Sequence, residues 1–510
     1  MGDKIMENTL LNSLKQENNK KYTENDGRAY ASTLNNVYDL FAFGGAYRQR
    51  NNADCILLFK KALEQNVELA MKCLFYISDI RGGQGERRFF RVCFKWLCDN
   101  YPEIAKRNLE YIPTYRRWDD LIYSTLDTKL EDYALFLIKQ QLVLDLDCKT
   151  PSLLGKWLPS TNASSHDTIA AGNKVRKYLK MTQKEYRKVL SSLRTKINIV
   201  EKLMSENRWD EIEFDKIPSK AGLIYKNAFA RRDLIAQKYK EFIKSDKTTV
   251  NAKTLFPYDI VGMATKHFDY WGRVDDDFDN VDRIAIEKYW NNQKDYFKDD
   301  NTSMLCVVDT SGSMTCGEGI ATPINVAISL GIYAAERAKG AFKNHYISFS
   351  SRPQLIAIEG ADFVDKVSRI YRTNLCENTN LEAVFDLLKD IVLSGRAKKE
   401  DLPDRICVIS DMEIDEGTGD RWNRVSNWST ENAKSTMENI RTEWAEAGLE
   451  LPRLVYWNVN ARNNTVLDLG PNVSLVSGAS AQTFEMVTQD VQGIDLMMQK
   501  LLSSRYEVIK

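Results

Sequence analysis

The chain has 510 residues, in which 71 Lys and Arg balance 71 Asp and Glu and only three are His. A neutral total gives no sign of a polyanion partner from net charge alone, three histidines leave general acid–base catalysis poorly supported, and this length divides into more than one domain. Nine Cys without Cys-x-x-Cys pairs argue for a reducing, cytoplasmic setting, and the lack of a secretory or transmembrane-length apolar run argues against a membrane partner.

Residues 1–30 are polar, rich in Asn, Lys and Glu, and read as a loose tail. From 31 to about 270 one helical pattern follows another, at 54–64, 67–80, 87–100, 103–111, 118–125, 130–144, 183–203 and 228–245. Apolar positions such as Ile56, Leu57, Phe59 and Leu63, then Leu69, Met71, Leu74, Phe75 and Ile77, recur at three-to-four residue spacing. Short helices that each carry one apolar face gain stability by stacking, so this region is expected to be an all-α, HEAT-like helical-repeat domain.

Two segments in it have two readings each. Arg81-Gly82-Gly83-Gln84-Gly85-Glu86-Arg87-Arg88 could present amides and guanidinium groups to phosphate, but it lacks the Lys-Ser/Thr of a P-loop and reads better as a helix–helix turn. Tyr115-Arg116-Arg117-Trp118-Asp119-Asp120 could stack a base on Trp118, or anchor a helix end with an aromatic, which is the favoured reading.

Charge is unevenly distributed. Residues 151–250 hold 21 Lys and Arg against 11 Asp and Glu. The densest stretch contains Lys174, Arg176, Lys177, Lys180, Arg187, Lys188 and Arg194, with Tyr178 and Tyr186 interleaved. It fits a groove along a nucleic-acid backbone and equally a solvated helix face. Residues 152–165 read as a surface loop long enough to reach a ligand. The acidic stretch with Asp275, Asp276, Asp277, Asp279 and Asp282 reads as a connecting segment over 271–300.

Residues 301–510 change pattern. Apolar runs near 304–308, 345–349, 405–410, 453–459 and 473–477 alternate with helical patterns at 323–337, 362–371, 381–393, 433–447 and 481–502. That alternation predicts a doubly wound α/β domain with a mostly parallel sheet. Ligands of such sheets sit beyond the carboxyl ends of the strands. There the first run ends in Asp309-Thr310-Ser311-Gly312-Ser313, the third ends in Asp411, and Thr379 precedes a helical pattern. A carboxylate with two hydroxyls on one tight loop suits a hard cation such as Mg²⁺, with Gly312 expected to let the loop bend.

Asp309, Ser311, Ser313, Thr379 and Asp411 resemble, in order, the metal-ion-dependent adhesion site of von Willebrand factor A domains. Asn378 and Met412 stand where Gly often flanks the Thr and the last Asp. The resemblance implies a divalent cation with a coordination position left for an acidic group from a protein partner. The Gly-Gly-x-Gly-Glu-Arg turn and Arg-Trp-Asp-Asp segment ahead of such a domain resemble the Ro autoantigen (TROVE) architecture and a related family of viruses and plants, as does Ser410-Asp411-Met412-Glu413-Ile414. That resemblance implies a ring of helical repeats that holds RNA.

The leading expectation is a non-enzymatic, Ro-like RNA-binding protein whose metal domain docks a partner or steadies the ring. The alternative is a protein-docking scaffold or AAA-ATPase adaptor acting through the metal without RNA. A cation-assisted hydrolase ranks last, because no general base is evident.

Overall fold

The computed structural model describes residues 9–510 except 198, 270, 318, 349–351, 374–378 and 416–433. The flank 376–378 before Thr379 and the start of the expected 433–447 helix therefore lie outside the described residues.

The second half is a six-stranded sheet. Its strands are β3 (Met304–Val308), β4 (His345–Ser348), β5 (Leu355–Ala357), β6 (Arg405–Ser410), β7 (Arg453–Asn458) and β8 (Val473–Ser477), in the order β5-β4-β3-β6-β7-β8. All neighbours are parallel except β4 and β5. β3 and β6 are buried at every position, as central parallel strands covered on both faces must be. Among the helices, Pro323–Arg337 starts where Thr322 accepts a hydrogen bond from the Asn325 N–H and Pro323 fills the first turn. The chain steps from β3 to β4 on one side and returns to β6 on the other, so the topological switch point lies between β3 and β6.

The first half is helical, and successive helices pack in chain order from Asn36–Phe43 through Asn52–Gln65, Arg87–Asn100, Trp118–Thr125 and Glu131–Asp147. Both ends of this arc rest on the sheet domain. Asn36–Phe43 packs on β8, while Pro257–Thr265 packs on Pro323–Arg337 and Asn280–Asn291 packs on Phe363–Thr373.

Several expected boundaries move. The helical pattern at 183–203 resolves into Gln183–Lys196 and Val200–Ser205, and 228–245 resolves into Ser219–Arg231 and Asp233–Lys244 with Arg232 extended between them. The pattern survives that break because both helices feed one aromatic cluster of Phe214, Phe229 and Tyr239. The 481–502 pattern breaks before Gly493, whose φ is +57°, and resumes as Gly493–Leu501. The acidic 271–300 segment is more than a connector. It carries the helix Asn280–Asn291, which buries Ala285, Ile286, Tyr289 and Trp290.

Residues 9–30 of the expected loose tail form regular structure. They make the helix Thr9–Asn19 and an antiparallel hairpin of β1 (Lys20–Tyr22) and β2 (Arg28–Tyr30). Its stability is tertiary: Asp26 bridges to Asp415 and Tyr30 bridges to Val466, partners near the other end of the chain. Composition cannot show such a partner.

The Gly-rich turn lies at the seam between the halves. Buried Asp79, just before it, accepts hydrogen bonds from Arg505 and from the Tyr506 hydroxyl at 3.1 Å. Gln84 donates to the Ser477 hydroxyl at 3.2 Å, and Gln482 donates to the Arg81 carbonyl at 2.7 Å. At Gly83 a Cβ would overlap the Tyr76 carbonyl oxygen, so the residue is glycine for a steric reason.

Candidate functional site

Two sites stand out, one acidic and one basic. The acidic site follows from the sheet register. Val308 pairs with Ile409, so Asp309 and Asp411 leave adjacent parallel strands at the switch point. Both are fully buried. Asp309 accepts a hydrogen bond from the Ser311 N–H at 2.9 Å and one from the Ser410 hydroxyl at 2.5 Å. The Ser311 and Ser313 hydroxyls lie 3.1 Å apart, and Ser313 is among the groups that oppose the rise of the Asp411 carboxyl. Burial first, and then the charge of Asp411, push the Asp309 carboxyl up to about 7. Asp411 is also raised by burial, with Arg462 opposing.

Oxygen donors alone, two of them buried carboxylates that raise each other's proton affinity, are the chemistry a hard divalent cation satisfies. Asp309, Ser311, Ser313 and Asp411 come together in this way. Thr379 is buried but committed elsewhere. Its hydroxyl donates toward Asp415 at 2.8 Å and accepts from Asn25 at 3.0 Å, and no hydrogen bond among the described residues links it to the other four. Gly312 does not bend the loop by unusual torsion. Its φ is not positive, and a Cβ there would meet nothing within 4 Å. The left-handed residue is instead Met412, at φ +66°.

The N-terminal hairpin forms the rim of this site. Arg462 lies 3.1 Å from Asp411 and 2.5 Å from Glu24, and the Glu24 N–H donates to buried Glu413 at 2.7 Å. A polar N-terminal stretch carries no sequence signal for that role.

The basic site is a cavity of about 960 Å³ inside the helical arc. It draws on six separate chain segments between Ser78 and Asp259, and nine Lys and Arg line it against only Asp120, Glu201 and Asp259. Six of the nine cations pair with these acids or with acids beside them: Lys156 with Glu201 at 3.7 Å, Lys202 with Glu206 at 2.7 Å, Lys220 with Asp259, Arg87 and Arg116 with Asp120 at 2.8 and 3.4 Å, and Arg117 with Asp119 at 2.6 Å. Arg81 and Arg187 are exposed and pair with no carboxylate among the described residues. Arg194 is held by the carbonyls of Gly155 and Leu158 at 2.9 and 3.2 Å rather than by an acid.

Of the basic stretch singled out in the sequence, only Arg187 and Arg194 line the cavity. Lys174 is paired with Asp127 and Glu131, and Arg176 donates to the Met181 carbonyl. Lys177, Lys180 and Lys188 are exposed and do not line it. Lys177 is on His166–Tyr178, none of whose residues line the cavity, and Lys180 is in the turn that follows, at φ +55°. Lys188 is on another face of Gln183–Lys196, whose cavity side shows Arg187, Leu190, Ser191 and Arg194. Trp118 packs against the core, while Trp157, from the expected 152–165 loop, stands at the cavity under the Arg117 guanidinium at 3.7 Å. That loop contains a short helix, Leu154–Trp157, with Leu154 and Leu158 buried as anchors.

No helix of the described residues is long and apolar enough to cross a membrane, and none of the eight described cysteines is in a disulfide.

Comparison with known proteins gives two family models. Residues 303–500 match a domain of unknown function, DUF7788, and residues 23–121 and 156–302 match a second, DUF2828. The boundary between them falls just before β3. An uncharacterised protein of Acanthamoeba polyphaga mimivirus is 27% identical over 517 residues, covering 92% of this chain and 84% of that protein. Among solved structures, the crystal structure of the Deinococcus radiodurans Ro (RSR) protein is similar with a TM-score of 0.42 and 12% identity, over 92% of this chain and 99% of that one.

Proposed function

We propose that this chain is an RNA-binding protein of the Ro-like kind, acting by binding rather than catalysis, in which the basic cavity receives single-stranded RNA. The observation that carries this reading is the excess of nine cations over three carboxylates in one cavity of an otherwise neutral chain. Arg81, Arg187 and Arg194 have no carboxylate partner among the described residues, and cations of that kind are free to replace counterions along a phosphate backbone. Trp157 adds a partly exposed ring at the same wall. In a fluorescence anisotropy titration, a 12-nucleotide single-stranded RNA binds, and log Kd rises linearly with log salt, whereas a blunt duplex of the same length competes poorly. Binding that ignores salt would refute the proposal.

The α/β unit is proposed to be a von Willebrand A-like domain with Mg²⁺ held by Asp309, Ser311, Ser313 and Asp411. Thr379 would join only when its hydroxyl leaves Asp415. A protein partner offering an acidic group would meet a rim where Glu24 of the chain itself already stands. The geometry therefore favours a cation that steadies the closure of the helical arc on the sheet domain over one that docks a partner.

A bound cation stabilises the folded state by mass action, about 2.7 kcal/mol at a hundred times its Kd. Millimolar Mg²⁺ or Mn²⁺ is expected to raise the melting temperature by a few degrees, and Asp309→Asn to abolish that increment. The increment is the quantity to compare, since removing one of two facing buried carboxylates also shifts the metal-free baseline. Equal melting of the native protein in Mg²⁺ and in chelator would end the metal reading.

A further inference from the structure

The cavity wall built by residues 81–120 is more specific than a general basic surface. Two aspartates there organise four arginines. Arg87 lies 3.0 Å from Asp119 and 2.8 Å from Asp120, and Arg91 lies 3.1 and 2.5 Å from the same two. Arg117 reaches Asp119 at 2.6 Å, and Arg116 stands 3.4 Å from Asp120. Asp120 is fully buried. Burial alone would raise its proton affinity, but Arg116, Arg87 and Arg91 outweigh it and hold the carboxyl well below its ordinary range. It is therefore a fixed anion at neutral pH. Four guanidinium groups share two carboxylates, and three of the four, Arg87, Arg116 and Arg117, line the cavity while Arg91 does not.

These charges are held in place. The Arg116 side chain is almost wholly buried with its guanidinium 4.1 Å over Phe90, and its Nε has no hydrogen-bond partner. Arg117 is stacked on Trp157. Arg87 and Arg117 keep about a third of their side-chain surface open. Arg81 adds a further unpaired guanidinium at the same cavity, on a turn that Asp79 and Arg505 hold rigid. Arginine forks match phosphate oxygens two at a time, and forks already oriented lose little freedom on doing so.

An internal phosphodiester carries one negative charge, whereas a terminal phosphomonoester carries about 1.5 to 2 at neutral pH and offers three acceptor oxygens. The cavity volume is that of a site for a small ligand, roughly 300–1,000 Å³, which suits the end of a strand better than its middle. Resting on the RNA-binding reading above, we infer that the Arg81, Arg87, Arg116 and Arg117 wall is a subsite for the terminal phosphate of a single-stranded RNA.

The test compares one 12-nucleotide RNA with a 5′-phosphate, with a 3′-phosphate, or with hydroxyls at both ends, bound to the full-length protein at 0.15 M salt. At least a tenfold tighter Kd is expected for one phosphorylated form, and which end wins identifies the source of the phosphate. Arg117→Gln is expected to reduce that preference to less than threefold, read as the ratio of phosphorylated to hydroxyl-ended RNA on the same variant so that any general loss of affinity cancels. Equal binding of all three RNAs overturns the subsite and leaves RNA binding intact, and failure of all three to bind overturns the RNA reading itself. If Arg117→Gln does not fold, competition by adenosine monophosphate against the hydroxyl-ended RNA on the native protein decides. Adenosine, lacking the dianion, should compete at least tenfold less well, and parity of the two overturns the subsite.

Discussion

The double variant Arg81→Glu with Arg187→Glu is expected to bind single-stranded RNA ~100-fold more weakly than the native protein at 0.15 M salt, with a salt dependence shallower by about 1.4 in log–log slope. The size follows from where the two side chains stand. Both line the cavity, both are exposed, and neither is paired with a carboxylate, so each is available to one phosphate. Losing two contacts to a single strand removes about 0.7 from the slope per contact, and the introduced carboxylates add repulsion. Neither guanidinium supports the fold through an acid partner, so the variant should melt with the native protein. The matched control is Lys177→Glu with Lys188→Glu, which makes the same charge change outside the cavity. Its Kd should stay within about threefold of native. Equal losses from the two pairs, measured by anisotropy, would show that total charge and not the cavity governs binding.

That contrast also marks what the sequence can and cannot reveal. The acidic site was legible because its parts are local or sit at strand ends. Asp309, Ser311 and Ser313 share one loop, and Asp411 ends a second buried run, so two adjacent parallel strands suffice to bring them together. Thr379 was legible as a residue before a helix, but not in its commitment to Asp415 and Asn25, which depends on a hairpin from the other end of the chain. The basic cavity was not legible as a whole. Charge density along the chain finds helices with many cations, while a cavity takes one or two residues from each of several segments. Arg187 and Arg194 were found because they lie in the dense stretch, and Lys174 was included although Asp127 and Glu131 neutralise it.

Both motifs that had double readings keep the structural one, and each also sets arginines on the cavity wall, whereas Trp118 packs against the core instead of standing at the cavity. The 81–88 segment is a turn between helices, and it also sets Arg81 and Arg87 on the cavity wall. The 115–120 segment anchors a helix, and its Arg116 and Arg117 face the same cavity while Trp118 packs away. A structural and a ligand-facing role are not exclusive when alternate residues of one segment point in different directions.

Gly83→Ala is expected to be strongly destabilising, although it adds one methyl group. The new Cβ would overlap the Tyr76 carbonyl oxygen and lie 2.9 Å from the Tyr76 carbonyl carbon and 3.2 Å from the Asp79 carbonyl oxygen, all backbone atoms that cannot rotate away. The turn would have to open. Its opening breaks the Gly83 N–H bond to the Asp79 carbonyl and the Gln84 N–H bond to the Tyr76 carbonyl, both 3.1 Å. It also displaces Asp79 from Arg505 and Tyr506 and Gln84 from Ser477, the contacts that join the helical arc to the sheet domain. Forcing a group into a packed site costs about 1–3 kcal/mol, and the coupled loss of a buried charge pair takes the total to about 3 kcal/mol or more. Chemical denaturation followed by tryptophan fluorescence should therefore show a much lower midpoint, or an early separate transition as the two halves come apart. Gly312→Ala supplies the comparison, because that glycine has an ordinary φ and no atom within 4 Å of the added carbon. It should leave the midpoint unchanged or raise it slightly, by well under about 1 kcal/mol through a less flexible unfolded chain. If Gly83→Ala unfolds at the same denaturant concentration as Gly312→Ala, the turn is not the rigid joint between the two halves.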